Sequence, residues 1–405
     1  MPLDPRRAIA DLRELDRLTG GPAGARRVCW TGEWHRAREF LRERLAAIDG
    51  VTVEQDEAAN LWATLPGERG GALAVGSHVD SVPAGGWLDG ALGVMAGLEV
   101  LRAAAEDGAR HAVRLVDFAD EEGARFGRSL FGSSAVAGTL DPTSLEALRD
   151  AEGRPIAEVL REHGVDLARV REAARRRAGL VAYLELHIEQ GPVLDRERVP
   201  VAAVSGTAGV ERHRFDFEGQ ASHAGTTPME MRRDAGLAAA GTALAVEEIA
   251  RRRGGVGTTG VLRLQPGIPT AVAGEAALVV DLRHPEEAPL ASMLREVRAA
   301  AAAAASERDC SLTQSEIWRI EPIAFDERLV HAALEEAGTG RVLPSGALHD
   351  AAEMARHLPV AMVFCPSIGG ISHASEEDTR EADLERAIDA FGRLALRVAR
   401  GEVLA

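Results

Sequence analysis

Lysine is absent from this sequence of 405 residues, and asparagine occurs once, at Asn60. The missing lysine excludes a Schiff-base nucleophile, a P-loop lysine and a serine–lysine dyad. The three cysteines, Cys29, Cys310 and Cys365, lie far apart and form no CxxC pair. This spacing argues against a disulfide framework and against a thiolate zinc site.

Long apolar runs are also absent, and acidic residues outnumber basic ones. No stretch reaches the roughly 18 consecutive apolar residues of a membrane span. The N-terminal residues MPLDPRRAIADLREL lack the apolar core of a secretory signal, so we expect a cytoplasmic protein. The net charge of −16, from 63 acidic and 47 basic residues, disfavours a nucleic-acid partner. We therefore expect a soluble protein that binds neither membranes nor nucleic acids.

Apolar patterning predicts an α/β fold. Helical patterns, such as the one from Ala91 to Ala105, separate four short apolar runs of the kind found in strands buried on both faces of a mainly parallel sheet. These runs are Leu73–Val75, Val113–Phe118, Leu180–Leu186 and Ala361–Phe364. Residues 140–178 between them are expected to form a helical connector.

The pattern changes near residue 208 to alternating strands and two long helices, expected to begin near Met229 and near Ala288. This order predicts a small α+β domain inserted into the larger one. We predict a catalytic domain of residues 1–207 and 326–405, whose mainly parallel central sheet is flanked by helices. Residues 208–325 are expected to form the inserted domain.

Side chains able to bind a metal follow each predicted buried strand. They are His78, Asp80, Asp89, Asp120, Glu121, Glu122, His187, Glu189 and His373. In open α/β sheets the ligand site lies beyond the carboxyl ends of the strands, where these residues fall. A nitrogen and oxygen donor set without cysteine suits Zn²⁺, Mn²⁺, Co²⁺ or Ni²⁺. Because one cation takes about four ligands, the set predicts two cations that share a carboxylate and activate water for hydrolysis.

The neighbouring carboxylates Glu121 and Glu122 can perform different tasks. One can bind metal while the other takes a proton from the attacking water and passes it to the leaving amine. Asp80 is placed to accept the second ring N–H of His78 and so to orient that ring. A non-catalytic metal-binding protein is the competing interpretation, but a structural site has no need for a free base beside a ligand.

Six strings of this sequence resemble the binuclear metal-dependent amidohydrolases that include N-carbamoyl-L-amino-acid hydrolase, allantoate amidohydrolase and bacterial β-ureidopropionase. They are GSHVDSVPAGGWLDGALGVMAGLEVL, DFADEEGARFG, LELHIEQGPVLD, EGQASHAGTTPMEMRRDA, LPSGALHDAAEMA and PSIGGISHASEEDT. The string LELHIEQGP is the most discriminating, because related aminoacylases and dipeptidases usually have a carboxylate where His187 stands.

The resemblance implies a metallopeptidase-like catalytic domain with two divalent cations, Glu121 as the general base and Asp89 as the ligand between the cations. The implied ligands are His78, Asp89 and His187 for one cation and Asp89, Glu122 and His373 for the other. It also implies that the inserted domain forms a homodimer, in which His223 of the SHAG motif stabilises the oxyanion in the partner's active site. Gln190 would contact the ureido group, and Arg283 would bind the substrate carboxylate.

One segment departs from the family pattern. Family members usually have a string like NAINVIPGE, whose asparagines help bind the carboxylate end of the substrate, whereas this chain reads GIPTAVAGE, with Gly267 and Thr270 in their places. The expected reaction is hydrolysis of the carbamoyl group of an N-carbamoyl amino acid to the amino acid, CO₂ and ammonia. Allantoate-type ureido hydrolysis and removal of an N-acyl or N-formyl group from a different amine remain open alternatives.

Overall fold

The computed structural model describes residues 3–404. The chain divides into a first unit, which runs to Gly206 and resumes at Ala324, and an inserted unit, Thr207–Ile323. The strands of the described residues are β1 (Thr52–Gln55), β2 (Leu61–Leu65), β3 (Arg69–His78), β4 (His111–Phe118), β5 (Leu180–Ile188), β6 (Ala202–Thr207), β7 (Gly209–Glu218), β8 (Ser222–His223), β9 (Val256–Gln265), β10 (Ala271–Val272), β11 (Glu275–His284), β12 (Ser311–Ile320), β13 (Ile323–Ala324), β14 (Val342–Ser345) and β15 (Val360–Cys365). The α-helices are α1 (Pro5–Thr19), α2 (Gly32–Ala46), α3 (Ala91–Asp107), α4 (Phe131–Ala137), α5 (Ile156–Glu162), α6 (Val193–Glu197), α7 (Ala235–Arg253), α8 (Glu287–Glu307), α9 (Glu327–Ala337), α10 (Asp350–Met354) and α11 (Glu381–Ala399).

A central sheet organises the first unit, in the order β1-β2-β4-β3-β5-β15-β6-β13, with β14 also paired to β6. The four middle strands, β4, β3, β5 and β15, run parallel to one another, and antiparallel pairs flank them on both sides. The middle strands are buried along most of their length, which explains their nearly continuous apolar sequences. This architecture confirms the predicted α/β class.

Helix α3 lies close against this sheet because its inner face carries glycine. A Cβ at Gly93 would stand 2.6 Å from the backbone oxygen of Leu186, and a Cβ at Gly97 would stand 2.5 Å from the Leu115 side chain. Close packing leaves no space for such atoms. Asp89 lies two residues before Ala91, the first residue of α3, so this contact fixes its position next to the carboxyl ends of β3 and β5.

The inserted unit is a four-stranded antiparallel sheet in the order β12-β7-β11-β9. Burial alternates along β11, and the buried face packs against α7 and α8 through side chains that include Phe215, Phe217, Leu278, Val280 and Val297. Strand β9 lies at the edge of the sheet. No helix of residues 3–404 is sufficiently long and apolar to cross a membrane.

Two expectations about helices differ from the structure. Helix α7 begins at Ala235 and not near Met229, because Asp234 caps it by accepting the N–H of Leu237, and residues after Pro228 form a separate 3₁₀ turn. The connector at 140–178 contains one short α-helix and two 3₁₀ segments. Gly153 and Gly164 adopt positive φ angles there, which interrupt a continuous helix.

Candidate active site

Five of the predicted ligands meet at the carboxyl ends of the parallel strands. Strand β3 ends at His78, His187 is the penultimate residue of β5, Asp89 precedes α3, Glu122 follows β4 and His373 follows β15. The parallel direction of these strands brings their carboxyl ends to one edge of the sheet, which explains why residues distant in sequence converge there.

The first donor group consists of His78, Asp89 and His187. Their ligand atoms lie within 4.8 Å of one another, and all three residues are buried. His187 Nε2 is 3.1 Å from Oδ1 of Asp89. Burial lowers the pKa of His78 to about 4, so its imidazole is neutral at pH 7, as a metal ligand must be.

The second donor group consists of Asp89, Glu122 and His373, with ligand atoms again within 4.8 Å of one another. His373 Nε2 lies 3.3 Å from Oδ2 of Asp89 and 3.5 Å from Oε2 of Glu122. The His373 side chain is 50% exposed, so this group borders solvent, whereas the first is enclosed. Asp89 directs one carboxylate oxygen to each group.

Glu121 lies beside both donor groups and belongs to neither. It is buried, and its Oε2 is 3.6 Å from Nε2 of His78. Burial and the negative charges of Asp350 and Glu122 raise its pKa well above the usual range of a glutamate. The arrangement therefore provides a carboxylate that can accept a proton next to the two donor groups and that belongs to neither of them.

The charge of the cluster fits divalent cations. Burial together with the charge of Asp89 raises the pKa of Glu122 to about 8, and burial raises the pKa of Asp80 to about 6. Burial opposes protonation of His187, yet the carboxylate of Asp89, 3.1 Å from its Nε2, raises the pKa of His187 to about 9. Oε1 of Glu122 is buried without a hydrogen-bond partner among residues 3–404. Without cations, protons held by Glu122 and His187 therefore supply part of the positive charge that these neighbouring carboxylates require.

The hydrogen bonds of Asp80 differ from the predicted ones, because its carboxylate is not the group that accepts from His78. The backbone oxygen of Asp80 accepts from Nδ1 of His78 at 3.1 Å, whereas its carboxylate is 3.6 Å from that atom. The carboxylate instead accepts the backbone N–H groups of Glu121 at 3.3 Å and of Glu122 at 3.2 Å. Asp80 therefore holds the segment that carries the base and a ligand, and its carbonyl orients the histidine.

Two further strand-end carboxylates face away from the donor groups. Asp120 accepts from the indole of Trp30 at 2.8 Å, and Glu189 accepts the N–H groups of Val193 and Leu194 at the start of α6. The strand-end pattern by itself does not separate these two from the candidate ligands, whereas the family resemblance leaves both of them out. Sequence reasoning missed Ser372, whose hydroxyl lies 3.2 Å from Oδ2 of Asp89.

Gln190 lies at the second donor group, with its Nε2 donating to Oδ2 of Asp89 at 2.9 Å. The other predicted substrate contacts belong to the inserted unit. His223 in β8 pairs with Ala271 in β10, and the backbone oxygen of Thr270 accepts the N–H of Ala224, so His223 and Thr270 are neighbours.

Arg283, also in the inserted unit, donates from Nε to Oδ1 of Asp281 at 2.8 Å. Arg212 donates to the other oxygen of the same carboxylate, at 2.9 and 2.6 Å. Two guanidinium groups therefore share one carboxylate. The roles of Arg283, His223, Thr270 and Gln190 toward substrate stay predictions.

Comparison with known proteins identifies the family of this chain. The sequence profile of Peptidase family M20/M25/M40 matches residues 74–397. The chain is 38% identical to the N-carbamoyl-L-amino acid amidohydrolase of Geobacillus stearothermophilus, over 97% of this chain and 98% of that protein. It is 32% identical to the allantoate amidohydrolase of Escherichia coli, over 97% and 98% respectively.

Among solved structures, the chain resembles an amidase of the hydantoinase/carbamoylase family from Burkholderia multivorans, with a TM-score of 0.90, 31% identity and 98% coverage of both chains. The chain therefore belongs to Peptidase family M20/M25/M40, and within it to the amidohydrolases that its motifs resemble.

Proposed function

We propose that the protein hydrolyses the carbamoyl group of an N-carbamoyl amino acid with the help of two divalent cations. The reaction is R–NH–CO–NH₂ + H₂O → R–NH₂ + CO₂ + NH₃. The observation that carries the proposal is the sharing of Asp89 by two donor groups with Glu121 beside them. A structural metal site would have no use for that additional buried carboxylate.

The two donor groups would hold one cation each, drawn from Zn²⁺, Mn²⁺, Co²⁺ or Ni²⁺, because histidine and carboxylate ligands suit all four. When bound, such cations act as Lewis acids that lower the pKa of water and stabilise negative charge. The buried carboxylates of the cluster supply the negative charge that cations neutralise.

Glu121 would move the proton of the reaction. Its carboxylate accepts a proton from the water whose oxygen adds to the ureido carbon, and it then delivers that proton to the nitrogen of the amino acid as the C–N bond breaks. The carbamate that leaves decomposes to CO₂ and ammonia. Gln190, whose amide donates to Asp89, would contact the ureido group.

The inserted unit would bind the carboxylate end of the substrate and form a homodimer. Arg283 is the proposed carboxylate ligand, Thr270 of the GIPTAVAGE segment is a second proposed substrate contact, and His223 of the partner subunit would stabilise the oxyanion. The edge strand β9 and helix α7 expose apolar side chains, including Val256 (60% exposed) and Leu244 (72% exposed), which suits association with a second copy. We also propose that the protein is cytoplasmic.

A second candidate follows from the segment between β9 and β10. Gly267 adopts φ +70° there and Thr270 carries a hydroxyl, so neither offers the amide found in family members. A pocket without these amides favours a different substrate, such as allantoate or an N-acyl or N-formyl amine. A ureidoglycolate hydrolase of Arabidopsis thaliana, 32% identical over 93% of this chain and 82% of that protein, illustrates how related chains differ in substrate.

The test is a substrate panel on protein loaded with Mn²⁺ or Zn²⁺, with free ammonia and free amine measured together. The panel contains N-carbamoyl α-amino acids, N-carbamoyl-β-alanine, allantoate, and N-acetyl and N-formyl amino acids, and the Glu121→Gln variant is the control for contaminating activity. Ammonia released in step with amine supports carbamoyl hydrolysis. Amine without ammonia supports deacylation, and hydrolysis of none of these compounds contradicts both candidates.

A further inference from the structure

Glu377 is a buried carboxylate in the loop between β15 and α11 for which the proposed reaction has no role. It is 2% exposed. Its Oε1 accepts the backbone N–H groups of Leu88 at 3.2 Å and of Asp89 at 3.0 Å. Its Oε2 accepts from the hydroxyl of Ser372 at 2.9 Å. Every one of these donors is therefore a proposed cation ligand or the residue next to one.

The contacts around Glu377 join the loop before α3 to the loop after β15. The Ser372 hydroxyl also lies 3.2 Å from Oδ2 of Asp89, so its single proton lies between two carboxylates. The indole of Trp87 donates to Asp378 at 3.2 Å. These bonds fix the two loops, and with them both carboxylate oxygens of Asp89, relative to His373.

The backbone next to Asp89 is shaped to admit this carboxylate. A Cβ at Gly86 would overlap Oε1 of Glu377, so the glycine leaves the space in which the carboxylate sits. The neighbouring Glu376 is exposed. Among residues 3–404, its carboxylate accepts a side-chain hydrogen bond only from the hydroxyl of Ser375. Burial of a carboxylate costs free energy unless several hydrogen bonds compensate for the lost hydration. The buried carboxylate of Glu377 has such hydrogen bonds, whereas the exposed carboxylate of Glu376 does not need them.

We propose that Glu377 is a positioning residue for the ligand that bridges the two donor groups. It holds the backbone of Asp89 and the hydroxyl of Ser372 so that Oδ1 faces the first group and Oδ2 faces the second. The inference rests on the proposed function, since it assumes that Asp89 binds cations. Because Asp89 belongs to both groups, loss of the Glu377 carboxylate weakens the binding of both cations.

The experiment titrates metal-free protein with Co²⁺ and follows its visible absorption, in the unaltered chain, in Glu377→Gln and in the matched control Glu376→Gln. Removal of an outer partner of a metal ligand typically costs about 10- to 100-fold in affinity, so we expect that increase in both dissociation constants for Glu377→Gln. We also expect an altered Co²⁺ spectrum. Glu376→Gln should titrate like the unaltered protein.

Thermal unfolding separates positioning from general stability. A merely structural role would lower the melting temperature of the metal-free protein and leave the rise produced by Co²⁺ unchanged, whereas a positioning role reduces that rise. The second variant is Gly86→Ala, whose added Cβ would overlap the Glu377 carboxylate and displace it. It should weaken Co²⁺ binding too, and the double variant should lose little more than either single one.

Two results would overturn the inference, and they differ in what else they exclude. In the first, the unaltered protein binds Co²⁺, and the variants Glu377→Gln and Gly86→Ala bind it as tightly as the unaltered protein does. Glu377 then does not position Asp89, while the proposed function stands. If the unaltered protein binds no Co²⁺, the proposed function fails and the inference fails with it.

Discussion

Asp89 and His187 contact each other in the first donor group, with Nε2 of the histidine 3.1 Å from Oδ1 of the carboxylate. The other oxygen of Asp89 turns to His373 at 3.3 Å. A carboxylate that divides its oxygens between a histidine in β5 and a histidine in the loop after β15 is what two neighbouring cations require of a shared ligand. The consequences of removing it therefore differ from those of removing any other ligand.

Substitution of Asp89 by asparagine should remove both cations. The amide keeps the shape of the side chain and loses its charge, and both donor groups depend on that charge. We expect metal content to fall at both sites and kcat/KM to fall by more than about 100-fold, since even outer partners of ligands cost 10- to 100-fold. Elemental analysis and initial rates measure both effects. Asp107→Asn is the control, because Asp107 forms an exposed ion pair with Arg400. Retention of one full equivalent of metal would contradict the shared role.

Substitution of Glu121 by glutamine should separate metal binding from chemistry. Glu121 belongs to neither donor group, so the variant should bind both cations. Its amide cannot accept the proton of the attacking water, and loss of such a base costs about 10²- to 10⁴-fold in kcat. Metal analysis and kcat measured on the same preparation test this prediction. Near-normal turnover with metal bound would show that another group is the base.

The sequence predicted that the candidate ligands converge because their placement depends on strand order and strand ends. His78 and His187 follow apolar runs typical of buried parallel strands, and such strands must bring their carboxyl ends to one edge. The local hydrogen bonds were not predictable in the same way. Whether the carbonyl or the carboxylate of Asp80 reaches His78 depends on backbone torsion angles, and whether Glu376 or Glu377 is buried depends on which face of a loop packs inward. Neither leaves a periodic signal in the sequence.

Removal of the cations should destabilise the first unit. Chelation leaves the largely enclosed side chains of Asp89, Glu121 and Glu122 together without the positive charge that cations supply, although protons replace part of it. Each cation present at about 100 times its dissociation constant adds about 2.7 kcal/mol to the free energy of unfolding. We therefore expect a lower melting temperature in chelator, restored by Mn²⁺ or Zn²⁺ but not by Mg²⁺, which prefers an all-oxygen shell. Calorimetry with and without chelator measures the difference, and an unchanged melting temperature would contradict cation binding here.

Substitution of Arg283 by lysine should weaken substrate binding more than turnover. Lysine keeps the charge but loses the planar guanidinium that can contact Asp281 and a substrate carboxylate together. Loss of a hydrogen bond between charged groups costs about 1.5 to 3 kcal/mol, which corresponds to a KM about 10- to 100-fold higher with kcat nearly unchanged. The control is Arg214→Lys in β7, whose side chain pairs with Asp216 at an exposed position. Equal KM values for both variants would remove Arg283 from the substrate site.

The proposed dimer makes a prediction that no monomeric enzyme could satisfy. His223 is exposed, and its Nδ1 accepts the N–H of Gly225 at 3.0 Å, which leaves Nε2 to act as a hydrogen-bond donor toward another molecule. If His223 serves the partner's site, Glu121→Gln and His223→Ala homodimers are each nearly inactive, but a mixed dimer contains one site with both unaltered residues. Unfolding and refolding the two variants together at equal concentration should therefore restore about one quarter of the unaltered activity, because half of the dimers are mixed and each has one complete site. Each variant refolded alone is the control. No recovery, despite mixed dimers demonstrated with differently tagged chains, would place His223 in the site of its own subunit or outside catalysis.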